Sequence, residues 1–78
     1  MNYFLQITSA NSKEIYECNY DTETCRLLKY IKRGKDVTDV FRNDGKWEPI
    51  SKDGGLYKGM DILTYRVLAP DQLFLELL

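Results

Sequence analysis

Histidine is absent from this chain of 78 residues. That absence removes the commonest general base, the commonest metal ligand and the usual physiological pH switch. Cysteine is scarce too, with only Cys18 and Cys25. A four-ligand zinc site would need carboxylates from the same chain, and a Cys–His nucleophile cannot be assembled within it. Long apolar runs are missing, so no membrane span is expected. The N-terminal stretch MNYFLQITSAN has neither the basic start nor the long apolar segment of a signal peptide, so the expected compartment is the cytoplasm, with reduced thiols. A charge excess of either sign is missing as well: 11 Lys and Arg stand against 12 Asp and Glu, for a net charge of −1. Nucleic-acid binders usually carry a clear basic excess, which lowers the rank of that class.

What remains describes an ordinary globular chain, 44% hydrophobic and 29% charged. It has the size of one small domain, residues 1–78, close to the lower limit at which one hydrophobic core suffices. The organising stretch is Lys13 to Arg33, KEIYECNYDTETCRLLKYIKR. Two runs rich in Ile, Tyr, Leu and Cys flank Asp21-Thr22-Glu23-Thr24, whose Asp and Thr side chains suit a turn, and the whole reads as a β-hairpin. In the first arm Tyr16, Cys18 and Tyr20 share one face. In the second, Leu28 and Tyr30 oppose Leu27 and Ile31; apolar weight on both faces places this arm near the middle of a sheet.

Before the hairpin, Asn2 to Thr8 alternates as a half-buried strand, Tyr3, Leu5 and Ile7 against Phe4, Gln6 and Thr8, and Ser9 to Ser12 is a turn. After it, Arg33 to Asp36 is the next turn. Asp36 to Arg42 is ambiguous: Val37, Val40 and Phe41 have helical spacing, yet Val, Thr and Phe favour strands. The Asp44-Gly45 pair suits a tight turn, so strand–turn–strand is the preferred reading across it. Pro49 marks Lys46 to Ile50 as a short or edge strand. Ser51 to Gly59, with three of the five glycines, reads as a loop, and Asp61 to Leu68 as a strand. Pro70 followed by Asp71 is a helix-start signature, and the pairs Leu73/Leu77 and Phe74/Leu78 stand at i,i+4 spacing, favouring a short C-terminal helix over a strand. The expected fold class is therefore α+β: a mostly antiparallel, hairpin-connected sheet of about five strands with a C-terminal helix on one face.

Few residues point to chemistry. If the hairpin turn centres on Thr22-Glu23, Cys18 and Cys25 are diagonal neighbours, a poor disulfide geometry; one buried thiol and one surface thiol are expected. Arg26 to Lys35 carries Arg26, Lys29, Lys32, Arg33 and Lys35 around Tyr30, the ingredients of a single-stranded nucleic-acid platform. Glu14, Glu17, Asp21 and Glu23 on the preceding arm offer cross-strand pairing instead, which is the preferred account. Gly54 to Gly59 lacks the spacing of a phosphate loop, and the flanking Asp53 and Asp61 do not form a calcium-loop pattern. An enzyme resting on Cys25 or on the Asp53/Asp61 pair would lack a base.

The aromatic content is the most informative feature left: six Tyr, three Phe and one Trp. Trp47 near an edge and Tyr57 in the glycine loop are candidate contact residues, since Tyr and Trp combine area with a polar tip. The apolar ending, LFLELL, wants cover on more than one side of a helix. The sequence therefore points to a small non-catalytic interaction module, an accessory subunit or inhibitor of a larger protein, with self-association as a variant. Its contact residues are Trp47, Tyr57, Leu73, Phe74 and Leu77, and its partner a protein or a second copy. No cofactor or metal is expected. Nucleic-acid binding through Arg26, Lys29, Tyr30, Lys32 and Arg33 is the second reading.

Overall fold

The computed structural model describes residues 1–49 and 62–78. The chain forms the α+β architecture that its patterning predicts. The strands are β1 (Asn2–Ser9), β2 (Ser12–Asn19), β3 (Thr24–Lys32), β4 (Lys35–Asp36), β5 (Glu48–Pro49) and β6 (Ile62–Leu68). They form one antiparallel sheet in the order β4-β3-β2-β1-β6, with β5 also pairing β3. Two α-helical segments are added: a single turn, α1 (Thr38–Phe41), and a C-terminal helix, α2 (Pro70–Leu77). Among the described residues, no helix is long and apolar enough to cross a membrane.

Local chemistry accounts for the turns. Between β2 and β3 the closing group is Asn19, not Asp21: its Oδ1 accepts from the Asp21 and Thr22 amides at 2.9 and 3.1 Å. The connection between β3 and β4 is the pair Arg33-Gly34, both at positive φ (52° and 79°). That geometry matches the right-handed strand twist and suits glycine at its second position. At the start of α2, Ala69 has no side-chain oxygen to offer, so only half of a capping box forms: Gln72 Oε1 accepts from the Ala69 amide at 3.1 Å.

The strands align three rows of side chains on one face: Tyr3–Cys18–Cys25, Leu5–Tyr16–Leu27 and Ile7–Glu14–Tyr30. Leu5, Ile7, Tyr16, Cys18, Cys25 and Leu27 form the buried cluster, with Tyr3 and Tyr30 packed at its margin. On the other face, Ile15 and Leu68 are buried with Gln6, whose Oε1 accepts from Arg66 Nε at 3.1 Å. There α2 is tied down by Glu76, which meets Lys13 at 2.7 Å and Arg66 at 3.9 Å. The Leu77 carbonyl, 3.4 Å from Lys29 Nζ, extends the attachment to β3.

Four sequence expectations are corrected. First, the register pairs Cys18 directly with Cys25, not diagonally, because the turn takes Tyr20 to Glu23 and leaves Asn19 opposite Thr24. The Tyr20 amide reaches back to the Met1 carbonyl at 2.9 Å. Strand amides alternate in direction, so Cys18 also turns its backbone toward β1. The cysteines thus form the narrow, non-hydrogen-bonded kind of pair, with Cα atoms about 4.5 Å apart. Both thiols are buried and free; neither is a surface thiol. Second, the register shifts between Ile15 and Tyr16, which face Lys29 and Leu27, so Leu28 is an extra residue. This bulge puts Tyr30 on the same face as Leu27, against simple alternation. Third, the sheet is centred on β2; β3 lies second, its outer edge covered only at its ends by β4 and β5.

Fourth, Thr38–Phe41 is a helical turn where a strand was expected, followed by a 3-10 turn over Asn43–Gly45. Asp36 sets the helical turn by accepting from the Thr38 amide and hydroxyl at 3.0 and 2.6 Å, and these bonds hold its carboxyl below the ordinary range. Thr38 Oγ1 in turn accepts from the Tyr30 amide at 2.9 Å, and Val37 donates to the Tyr30 carbonyl at 2.9 Å. Asp44 and Gly45 do take positive φ (55° and 70°), as their types predict. The segment therefore runs back along β3 but leaves its edge between β4 and β5.

Candidate functional site

Two features stand out: a cavity where the chain leaves the edge of β3, and the outer side of α2. The cavity has a volume of about 280 Å³. Its buried floor comes from Glu14, Tyr16, Cys25 and Leu27 of the first face. Tyr30 and Phe41 stand at one side with ring centroids 5.0 Å apart. Arg42 and Lys46 reach it from the detached segment and are exposed. A helical turn cannot continue the strand ladder, so the gap follows from the backbone itself.

Glu14 is the unusual member. It is 3% exposed, occupies a core position beside Ile7, and has no cation within ion-pair distance among the described residues. The Tyr16 hydroxyl donates to its Oε2, and Tyr30 also hydrogen-bonds the carboxylate. Burial pushes the carboxyl above its ordinary range, and the two tyrosine donors only partly oppose this. The same burial, followed by the Glu14 charge, raises the Tyr30 hydroxyl. A carboxyl raised in the folded state binds its proton more tightly there than in the unfolded chain. Its contribution is therefore intact below the unfolded value and is lost as pH rises through the folded one. Glu14→Gln keeps the shape and removes the charge, so it is expected to raise the melting temperature relative to the parent near neutrality, with the difference shrinking toward about pH 4. Parallel melting profiles across that range would contradict this account.

The outer side of α2 is a different kind of surface. Leu73 and Glu76 are its half-buried positions, so that side lies toward the sheet. Phe74, Leu75 and Leu78 project together on the opposite arc, 67%, 67% and 81% exposed. Of the contact residues expected from sequence, Phe74 is thus fully outward, Leu73 faces inward, and Leu77 sits at the margin. The sequence marked the whole Leu73 to Leu78 surface and singled out Leu73, Phe74 and Leu77; the outward prominence of Leu75 and Leu78 was not legible, because i,i+4 spacing identifies stripes without saying which one meets the sheet. Trp47 is exposed at the opposite edge of the sheet, under the Arg26 guanidinium at 5.0 Å. Tyr57, Asp53, Asp61 and the glycine segment 54–59 lie outside the described residues.

The basic stretch is not brought together as a platform. Arg26 is held by Glu17, with Nη2 and Nε 2.6 and 2.8 Å from Oε1. Lys29 points to the α2 end, while Tyr30 lies on the opposite face, against Phe41. Lys32 is exposed at the strand end, and Arg33 is a turn residue. Among the described residues, no cluster of three or more Cys, Asp or Glu could hold a metal ion. Comparison with models of known families, with curated proteins and with solved structures yields no significant match.

Proposed function

We propose that this protein is a small non-catalytic interaction module of the cytoplasm whose contact element is α2. The carrying observation is the outward arc of Phe74, Leu75 and Leu78, three large apolar side chains presented to solvent by a helix whose other side is anchored. Such an arc is the half of a helix-in-groove interaction that a partner reads. Burying three side chains of this size is worth roughly 5–9 kcal/mol gross. Association costs about 4–15 kcal/mol in lost freedom. A second copy laid flat against the arc covers only its crest, whereas a groove in a larger protein also covers Leu77 and the flanks and is the better fit. The module would act as an accessory subunit or inhibitor of that protein.

Affinity capture from lysate, with and without nuclease, tests this when run on the parent chain, on Phe74→Asp/Leu78→Asp and on Lys32→Ser/Arg33→Ser. A stoichiometric protein partner that survives nuclease, is lost with the helix variant and is kept by the basic-strand variant is the expected result. Nuclease-sensitive material released by salt, and lost with the basic-strand variant, would replace this reading with single-stranded nucleic-acid binding.

A further inference from the structure

The register of β2 and β3 brings two buried nucleophiles together. Cys18 and Cys25 are direct cross-strand partners on the first face, each 1% exposed and each a free thiol. The Tyr20 amide donates to the Met1 carbonyl, so Cys18, two residues back, also directs its amide and carbonyl to β1 and away from β3. On its far side Cys25 is paired with Glu48 of β5. In a non-hydrogen-bonded pair of this kind the Cα atoms stand about 4.5 Å apart and the side chains lie close together. Disulfides bridge Cα separations of about 4.4–6.8 Å, so the backbone does not have to move for a bond to form.

We propose that Cys18 and Cys25 form a reversible intramolecular disulfide, a modification site that staples β2 to β3 when the surroundings become oxidising. Reducing conditions keep the pair open. The oxidant is a low-molecular-weight disulfide such as oxidised glutathione. Cys25 is the entry thiol. It lines the cavity at the edge of β3, whereas Cys18 lies one strand further in. The strand that covers it, β5, has two residues, and Pro49 has no amide to add to the ladder. In the first step the Cys25 sulfur bonds to one sulfur of the reagent, whose S–S bond breaks, and one glutathione leaves with the Cys25 proton. In the second step Cys18 attacks the Cys25 sulfur, and the other glutathione leaves with the Cys18 proton. The cysteines are oxidised by two electrons, and one glutathione disulfide is reduced to two thiols. Burial slows both steps, while the end point is set by how closely the fold holds the two sulfurs. The site is on the face opposite α2, so it stands apart from the contact surface.

The short sequence separation would let even an unfolded chain close this bond, so the test compares the two states. The full chain is equilibrated with mixtures of reduced and oxidised glutathione, native and in denaturant, then quenched in acid, alkylated and weighed intact. In the native chain the internal disulfide, lighter by two hydrogens and closed to alkylation, should exceed mixed disulfides at least tenfold. Its equilibrium constant should fall at least tenfold in denaturant, and the oxidised chain should accordingly melt higher than the reduced one. The order of the steps is read from Cys18→Ala and Cys25→Ala under conditions where each is folded: glutathione should attach to the first, through Cys25, at least tenfold faster than to the second. The proposal is overturned if the native chain keeps two alkylatable cysteines or carries only mixed disulfides, if the bond joins two chains, or if it closes as readily in denaturant as in the native state. Equal attachment rates in the two variants would overturn entry through Cys25.

Discussion

Replacing Ile7 with Ala is expected to lower the unfolding free energy by about 2–5 kcal/mol, the range for removing most of a buried aliphatic side chain. Ile7 is 0% exposed and stands in the row of Glu14 and Tyr30, next to that of Leu5, Tyr16 and Leu27. The neighbours that would have to collapse into the space belong to central strands locked by their ladders, so little relaxation is available. A domain of this size commonly holds no more than about 3–5 kcal/mol in total. The variant should therefore be largely unfolded at physiological temperature. Ile15→Ala, equally buried on the face that α2 covers, should cost a similar amount. Val67→Ala is the control: this side chain is 62% exposed on the outer strand, and its loss should stay within about 0.5 kcal/mol. Urea unfolding followed by circular dichroism gives all three values. A cost below about 1 kcal/mol for Ile7→Ala would mean that the first face is not the core.

Both thiols are expected to resist labelling in the native state by at least about a hundredfold relative to an exposed cysteine. Cys18 and Cys25 are each 1% exposed. Burial pushes the Cys25 thiol up to about 11, with the neighbouring Cys18 and Glu48 adding to it. Burial also raises Cys18, although Tyr3 hydrogen-bonds it and partly offsets the effect. The thiolate is the reacting species, and an exposed cysteine near its ordinary value of about 8.5 is substantially ionised at pH 8. A thiol near 11 is ionised there only to about one part in a thousand, before shielding by β5 is counted. Labelling with a chromogenic disulfide reagent, native and in denaturant, checks this: slow and nearly equal for both in the first case, fast for both in the second. Rapid native labelling of one cysteine alone would restore the arrangement of one buried and one surface thiol.

The legible part of this architecture is the part written in local chemistry. The alternation of Tyr3, Leu5 and Ile7, the polar segment between two apolar runs, and Pro70-Asp71 ahead of the leucines each specify an element from neighbouring residues alone, and each is found where expected. Asp44-Gly45 also takes the backbone conformation its residue types favour. The absence of histidine and the balance of charge likewise bear on function before any fold is known.

Tertiary structure decided everything that depends on a second strand. The pairing of Cys18 with Cys25 hinges on whether the turn takes two or four residues, and Asn19, rather than the more obvious Asp21, settles that by capping both amides. The bulge at Leu28 reverses the face of Tyr30 and so disperses the basic stretch, a one-residue slip that alternation cannot foresee. Thr38–Phe41 coils because Asp36 and Thr38 bond locally and to Tyr30, against the strand preference of Val and Phe. Glu14 looked like one more surface acid on a hairpin arm. Only the register with Ile7 and Tyr30 brings its carboxylate into the core, beneath the cavity that the coiled segment opens.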